Sequence, residues 1–239
     1  MKTVAIILAA GSGKRMGTST KKQFLLLLDK PILFYSLKAF EESFIDEIIL
    51  VTSPEDKQYV KEEIVEKYNF TKVTKIVEGG KERYHSVLNG LNSIDSADYI
   101  FVHDGARPLV DKDILERALE GVSKYKACVV GVPSKDTIKI ANESGMVAST
   151  PNRNLVWNIQ TPQVFDFQLI KEAYNNVVSR EVELRANGVN ITDDAMVLEE
   201  YSHHPVKLIV GAYENIKVTT KDDLVLAEEF LRRKIYEED

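Results

Sequence analysis

The sequence predicts an α/β fold, a mostly parallel twisted sheet flanked by helices, and three observations carry that expectation. Short β-rich apolar runs alternate with longer amphipathic stretches through the first half, the pattern of parallel strands joined by helical crossovers. Small or charged residues follow these apolar runs, where the carboxyl ends of parallel strands gather functional loops. The chain of 239 residues is 44% hydrophobic and 28% charged, ordinary globular composition with enough apolar side chains for a full core. One domain over 1–239 is expected.

In chain order, the expected strands are 3–8, 47–52, 73–77, 99–103 and 127–132, each a compact β-branched or aromatic run. Between them, Pro31 opens a helix to residue 40 and Pro54 opens another to about residue 68, since proline suits the first helical turn. Leu88 and Leu91 fit a shorter helix after Arg83, and 112–125 completes the set. Four segments then fall at strand ends: 9–22, 78–86, 104–108 and, more distantly, 161–163. From 133 to 160 the pattern breaks into short alternating pieces, 136–140 and 146–149, around the turn Asn142-Glu143-Ser144-Gly145. This reads as a β-hairpin arm. An isolated hairpin is marginal, so a second copy of the chain is the natural surface for it to pack on. Helices near 166–177 and from 193, strands at 206–210 and 216–219, and a closing helix finish the chain.

Composition excludes several classes. The longest apolar runs, such as 4–10 and 128–132, stop far short of the ~20 residues of a bilayer span. Met1-Lys2-Thr3 leads straight into a strand-like run, unlike a secretory signal, so cytoplasmic residence is expected. The single cysteine, Cys128, lies in an apolar run and reads as a buried reduced thiol. A net charge of -6 argues against a nucleic-acid surface, which wants clustered positive charge, so anion binding is local. The mixed charges of 228–239 read as the solvated face of a terminal helix.

The first strand runs directly into Leu8-Ala9-Ala10-Gly11-Ser12-Gly13-Lys14-Arg15-Met16-Gly17. Glycines let backbone N–H groups approach phosphate oxygens, and the cations add charge, so a triphosphate site is the functional reading. A tight basic turn is the bland one. A P-loop requires glycine five positions before Gly13-Lys14 and a hydroxyl residue after, but Leu8 and Arg15 stand there. A dinucleotide fingerprint requires glycine where Met16 stands. Both fail, leaving a loop that offers Arg15 and, further on, Lys22 as positive charges.

With that loop in place, the sequence resembles the 2-C-methyl-D-erythritol 4-phosphate cytidylyltransferase family of the non-mevalonate isoprenoid pathway over nearly its whole length. The resemblance rests on residues 9–17, Lys22-Gln23-Phe24, Gly79-Gly80-Lys81-Glu82-Arg83 with Ser86, His103-Asp104-Gly105-Ala106-Arg107-Pro108, Asp136-Thr137, Arg153, Thr161-Pro162-Gln163, Thr192-Asp193-Asp194 and Asn215-Ile216-Lys217-Val218-Thr219. It implies a Rossmann-like nucleotidyltransferase domain, a homodimer through the arm at about 133–160, and Mg²⁺-dependent transfer of CMP from CTP to a sugar-alcohol phosphate. It further implies catalytic roles for Arg15, Lys22, Arg153 and Lys217, the last two holding the acceptor phosphate. Ala9, Ala10, Gly11, Ser12, Gly13, Gly80, Arg83, Ser86, Asp104 and Gly105 are implied at the nucleotide, with Asp104 also at the metal. Arg107, Thr137, Thr161 and Thr192 are implied at the acceptor, and Thr137, Arg153 and Arg107 are expected to reach a neighbouring subunit's site.

Two positions depart from the family pattern: Gly105 stands where alanine is common, and Lys81 where some members carry an acidic residue. Gly211-Ala212-Tyr213-Glu214 also resembles the ribitol 5-phosphate cytidylyltransferases, while Ala9-Ala10-Gly11 and Gly105-Ala106 resemble the methylerythritol enzymes. A CTP sensor without turnover is the alternative of another class. The joint presence of Arg15, Lys22, Arg153 and Lys217 argues against it, because binding CTP alone needs no acceptor-side pair.

The residue types suit the chemistry. A phosphate monoester, with its second pKa near ~6, is largely dianionic at neutral pH and attacks without a protein base. The task is electrostatic: bring two polyanions together and hold charge on the α-phosphate and departing pyrophosphate. Arginine offers a planar fork and lysine a mobile point charge. Asp104, ending an apolar strand, suits Mg²⁺, although an aspartate there also caps turns. His103 reads as a structural histidine, His203-His204 lacks a spaced third ligand, and Asp193-Asp194 reads as the first turn of a helix rather than a metal pair. Trp157 reads as core or arm packing.

Overall fold

The computed structural model describes residues 1–11 and 20–238. In chain order come β1 (Thr3–Ala9), a short hairpin of β2 (Leu26–Leu27) and β3 (Lys30–Pro31), α1 (Ile32–Glu41), β4 (Glu47–Thr52), and a helical stretch that includes α2 (Lys57–Tyr59) and continues as a wide π-type turn to Glu66. There follow β5 (Val73–Glu78), α3 (Arg83–Asn92), β6 (Tyr99–Asp104), α4 (Lys112–Tyr125) and β7 (Ala127–Pro133). The arm holds β8 (Ile140–Ala141) and β9 (Val147–Ser149), and the chain returns through β10 (Trp157–Asp166), α5 (Phe167–Ser179), α6 (Glu181–Ala186), α7 (Asp194–Ser202), β11 (Lys207–Val210) and α8 (Lys221–Glu238).

Among the described residues the main sheet has seven strands in the order β11-β7-β10-β6-β1-β4-β5. All neighbours are parallel except β10, which runs antiparallel to both β6 and β7. Successive side chains on a strand point to opposite faces, and the burial follows that period. Val4 and Ile6 join Ile49, Val51, Ile100 and Val102 in one core, covered by α3, α5 and α7. Ala5 and Ile7 join Ile48, Leu50, Phe101 and Cys128 in the other, covered by α1, α4 and the stretch around Val60 and Ile64. A strand buried on both faces must be apolar throughout, as the run from Val4 to Ile7 is. A third cluster, Leu27, Ile32, Leu109, Val218 and Ala227, fastens α8 to the body.

Caps set the helix limits. Asp111 accepts a hydrogen bond from the Ile114 amide at 2.9 Å, and Lys126 ends α4 in the left-handed region at φ 64°. Asp166 and Asp193 cap α5 and α7 in the same way, through the amides of Leu169 and Met196. Each such side chain is worth ~1 kcal/mol.

The structure corrects the expected elements in three places. Residues 161–163 are not a loop at a strand end but the middle of β10, because Pro162 sits at a register irregularity against β7, between Ile159 and Gln163. Proline is tolerated in a sheet at such a bulge. Residues 216–219 form no strand; the Val218 amide donates to the Ala106 carbonyl at 2.9 Å and the side chain packs beneath α8. The segment 181–186 is an additional helix, α6. The arm hairpin forms, with the Gly145 amide closing the turn on the Asn142 carbonyl at 3.0 Å, although its strands are shorter than expected. Cys128 is fully buried, which pushes its thiol up to about 12.

Candidate active site

From β1 the chain steps to β4 and β5 on one side, then returns to β6 on the other. Ligand clefts in open α/β sheets form at such switch points, beyond the carboxyl ends of the strands. A cleft of about 410 Å³ lies there, walled by Leu8 to Gly11 after β1, Lys22 and Gln23, Gly80 to Arg83 with Ser86 at the start of α3, Asp104 and Ala106 after β6, and Lys217.

The walls are built by local contacts. The buried Gln23 amide donates to the Ala9 carbonyl at 2.7 Å, fixing the chain that carries Lys22 against the end of β1. The Gly80 amide donates to the Ser86 hydroxyl at 3.0 Å. A Cβ on Gly80 would collide with the His85 Cβ, so only glycine brings this wall so close to α3. Glu82 and His85 form a capping box at the N-terminus of α3. At Gly105, a Cβ would meet Leu33 at 2.9 Å and the Leu8 carbonyl at 3.0 Å, which accounts for glycine where alanine is common.

Charge is concentrated at Asp104. Its carboxylate accepts from the Lys217 ammonium at 2.6 Å and from Arg83 Nε at 3.3 Å. Burial by itself would raise the pKa, but Arg83 and Lys217 outweigh it and hold the carboxyl well below the usual carboxylate range. Asp104 is therefore a fixed anion. The fork of Arg83 points elsewhere, its two terminal nitrogens donating to both oxygens of Asp194 at 2.7 and 2.8 Å. Asp194 is fully buried and also accepts from the Tyr174 hydroxyl. Burial would weaken the charge of Arg83, but Asp194 and Asp104 push its pKa well above the ordinary value.

Behind Asp104 stands Thr161, whose hydroxyl accepts the Asp104 amide at 3.1 Å and donates to His103 Nδ1 at 3.0 Å. His103 Nε2 then donates to the Arg107 carbonyl at 3.2 Å. Burial lowers the His103 pKa to about 4, so it is a neutral, Nε2-protonated structural histidine.

The cleft thus unites Ala9, Ala10, Gly11, Lys22, Gly80, Arg83, Ser86, Asp104 and Lys217 from the residues expected at the site. Gly105 follows directly, its amide donating to the Leu8 carbonyl at 2.9 Å. Ser12, Gly13 and Arg15 lie outside the described residues. Thr137 and Arg153 sit on the arm and do not line this cleft; Arg153 donates to the Lys135 carbonyl at 3.3 Å. Thr192 donates to the Met196 sulfur at 3.1 Å, away from the cleft walls. Arg107 is not displayed toward a neighbour: it is buried in its own subunit, donating to the carbonyls of Asn215 at 2.7 Å and Ile159 at 3.3 Å. Sequence reasoning missed Gln23, Gln163 and Asp194, whose roles depend on partners distant in the chain. Asp193 does cap α7, but Asp194 beside it is the buried partner of Arg83.

A glycine-walled cleft at the switch point of a doubly covered sheet, with cations and, among the described residues, no activated nucleophile, defines a nucleotide-dependent group transferase. A sequence model of the 2-C-methyl-D-erythritol 4-phosphate cytidylyltransferase family matches residues 3–233. The protein of that name from Lachnoclostridium phytofermentans is 52% identical over 231 residues, covering 97% of each chain. Its counterpart in Caldanaerobacter subterraneus subsp. tengcongensis is 46% identical, covering 98% of this chain and all of its own. The crystal structure of 4-diphosphocytidyl-2C-methyl-D-erythritol synthase from Anaerococcus prevotii superposes with a TM-score of 0.81 at 33% identity, over 97% of this chain and 98% of that one. The chain belongs to the 2-C-methyl-D-erythritol 4-phosphate cytidylyltransferase family. It is a nucleotidyltransferase of the non-mevalonate isoprenoid pathway, using CTP to cytidylylate methylerythritol phosphate.

Proposed function

We propose that the cleft at the switch point is where CTP and 2-C-methyl-D-erythritol 4-phosphate react, with Lys22 and Lys217 acting on opposite sides of the transferred phosphorus. The observation that carries this is the Lys217–Asp104 ion pair, 2.6 Å long, in the cleft that also holds Lys22 and the Gly80 wall. The base and ribose lie along Ala9, Ala10, Gly80 and Ser86, and the triphosphate continues over Gly11; the family resemblance also implies Ser12, Gly13 and Arg15 at the phosphates. Lys22 and Arg15 stabilise negative charge on the α-phosphate and on the leaving pyrophosphate. The acceptor phosphate, already a dianion, attacks without a base, consistent with a neutral His103 held behind the strand.

Among the described residues no group of three or more His, Cys, Asp or Glu side chains could hold a metal by itself. Mg²⁺ needs less, being bound by one or two carboxylates together with substrate phosphates. The ionised Asp104 fits that role, and Mg²⁺ there would supply positive charge to the triphosphate. Arg83, its fork occupied by Asp194, serves as a fixed charge beside Asp104 rather than a phosphate clamp.

The acceptor site is completed in a homodimer, where Arg153 and Thr137 arrive on the partner's arm. Supporting this, the arm exposes Ile140, Met146, Val147 and Leu155, apolar surface that a second copy would cover. Thr161 and Thr192 do not line the cleft; Thr161 acts from behind it by holding the Asp104 amide. No described helix is long and apolar enough to cross a membrane, and the enzyme works in the cytoplasm. One assay tests the assignment: CTP, Mg²⁺ and either methylerythritol 4-phosphate or ribitol 5-phosphate, read for pyrophosphate. The methylerythritol substrate is expected to have the higher kcat/KM, and a preference for ribitol phosphate overturns the reading.

A further inference from the structure

Lys217 lies on a stretch, 211–220, that has neither helix nor strand, so its position must be set by something other than a backbone ladder. On one side of Lys217 the Val218 amide is tied to the Ala106 carbonyl at 2.9 Å; on the other, a cluster of contacts gathers at Asn215, which is fully buried. Its side-chain amide donates to the Thr161 carbonyl at 3.0 Å and to Gln160 Oε1 at 3.3 Å. Its carbonyl accepts from Arg107 at 2.7 Å, and its own amide donates to the Ala212 carbonyl at 3.1 Å. Gln160 in turn donates to Ala212 at 2.7 Å. Asn215, Arg107, Gln160 and Thr161 do not line the cleft.

The clamp is itself immobilised. The Arg107 carbonyl accepts from Ser36 at 3.1 Å and from His103 at 3.2 Å, so main chain and guanidinium are both fixed. Thr161 serves two masters: its carbonyl holds Asn215, while its hydroxyl accepts the amide of Asp104. The lysine and the carboxylate of the site therefore hang from one residue of β10. Asparagine is required because two facing oxygens need a donor, which aspartate lacks.

We infer that Asn215, held by Arg107 and Thr161, is the positioning residue that places the Lys217 ammonium for the acceptor phosphate. Arg107 acts through Asn215 and not on the substrate. The inference rests on the reading that Lys217 binds that phosphate, and the experiment separates the two. Asn215→Ala, Asn215→Asp, Arg107→Ala, Arg107→Lys, Lys217→Ala and the double variant Lys217→Ala/Asn215→Ala are prepared in the full chain. For each, the CTP Kd is measured by calorimetry alongside kcat and the acceptor KM.

Losing a buried donor to a fixed oxygen is expected to raise the acceptor KM by roughly 10-fold in Asn215→Ala and Asn215→Asp, with CTP Kd changed by less than about 2-fold. Arg107→Lys, which keeps a donor, is expected to fall between wild type and Arg107→Ala. A residue acting through Lys217 adds little once Lys217 is gone, so the double variant is expected to match Lys217→Ala within about 2-fold. Lys217→Ala without effect on acceptor KM overturns the underlying reading and the inference with it. A Lys217→Ala effect with additive Asn215→Ala, or CTP Kd weakened as much as acceptor KM, overturns the inference alone. If the Asn215 variants do not fold, the Arg107→Lys and Arg107→Ala pair decides: equal losses for CTP and acceptor reject positioning.

Discussion

Replacing Asp194 by alanine removes the carboxylate that holds Arg83 from below. In the native fold that carboxylate is fully buried and accepts two hydrogen bonds from Arg83, at 2.7 and 2.8 Å, and one from Tyr174. Breaking one side of a buried pair costs about 3–5 kcal/mol, most of it from the partner left without its counter-charge. The Arg83 side chain is 28% exposed and can turn toward water, whereas Tyr174 cannot, which places the cost near the lower end, about 3 kcal/mol. For a domain of this size each kcal/mol lowers Tm by about 2–4 °C, so a fall of about 6–12 °C is expected. Urea unfolding is expected to show a lower midpoint with an unchanged slope. Asp194→Asn keeps an acceptor for one Arg83 nitrogen and is expected to lie between. Activity is expected to fall as well, because Arg83 Nε, 3.3 Å from Asp104, is no longer fixed. A Tm loss below about 2 °C for the alanine variant would refute the reasoning.

Lys22→Ala is expected to lower kcat by ~10²–10³-fold while CTP affinity changes far less, because a charge serving the transition state acts mainly there; a change confined to the KM for CTP contradicts that role. His103 makes stability depend on pH: its folded pKa of about 4 lies below the ordinary 6.5, so the stabilisation is present above 6.5 and lost as pH falls toward 4. The full loss is about 3 kcal/mol by linkage, read by urea unfolding at pH 7 and 4.5, and His103→Gln is expected to flatten the difference. Subunit exchange between inactive Lys217→Ala and Arg153→Ala dimers is expected to restore roughly a quarter of wild-type activity, since half the dimers are mixed and one of their two sites escapes both lesions. Continued inactivity, with mixed dimers demonstrated by mass spectrometry, rules out a site shared between subunits.

The apolar elements were legible because their signals are local. The strand at Glu47–Thr52 and the helix at Lys112–Tyr125 fall where the sequence puts them, one a compact β-branched run and the other opened by an aspartate cap. β10 was not legible, since Pro162 and the polar Gln160, Thr161 and Gln163 read as loop. In the fold those polar residues face a network that needs them, bonding Ala212, His103 and the start of α7. Residues 216–219 failed in the opposite direction: Ile216 and Val218 alternate like a strand but point into the cluster beneath α8. For the site, the glycine walls, Lys22, Asp104 and Lys217 were visible as motifs. Their pairing was not, because Arg83 finds Asp194 across 111 positions of sequence and Arg107 finds Asn215 across 108. No periodicity spans such distances.

The same pairings explain how a chain of net charge -6 keeps Lys217 and Arg83 at a site for two polyanions with their charges matched. Lys217 is matched by Asp104, and Arg83 is shared between Asp104 and Asp194. Unmatched buried cations repel one another and depress their own pKa values. The paired arrangement holds the Lys217 ammonium 2.6 Å from Asp104 at the cleft wall, and the arriving acceptor phosphate then replaces a carboxylate with a dianion. After that exchange Asp104 keeps Arg83 as a partner, and Mg²⁺ carried with the triphosphate would add another. With CTP bound first, Asp104 would release Lys217 to the acceptor phosphate, an order of binding that product-inhibition kinetics would reveal: pyrophosphate inhibiting noncompetitively against the acceptor, and acceptor affinity rising with bound CTP.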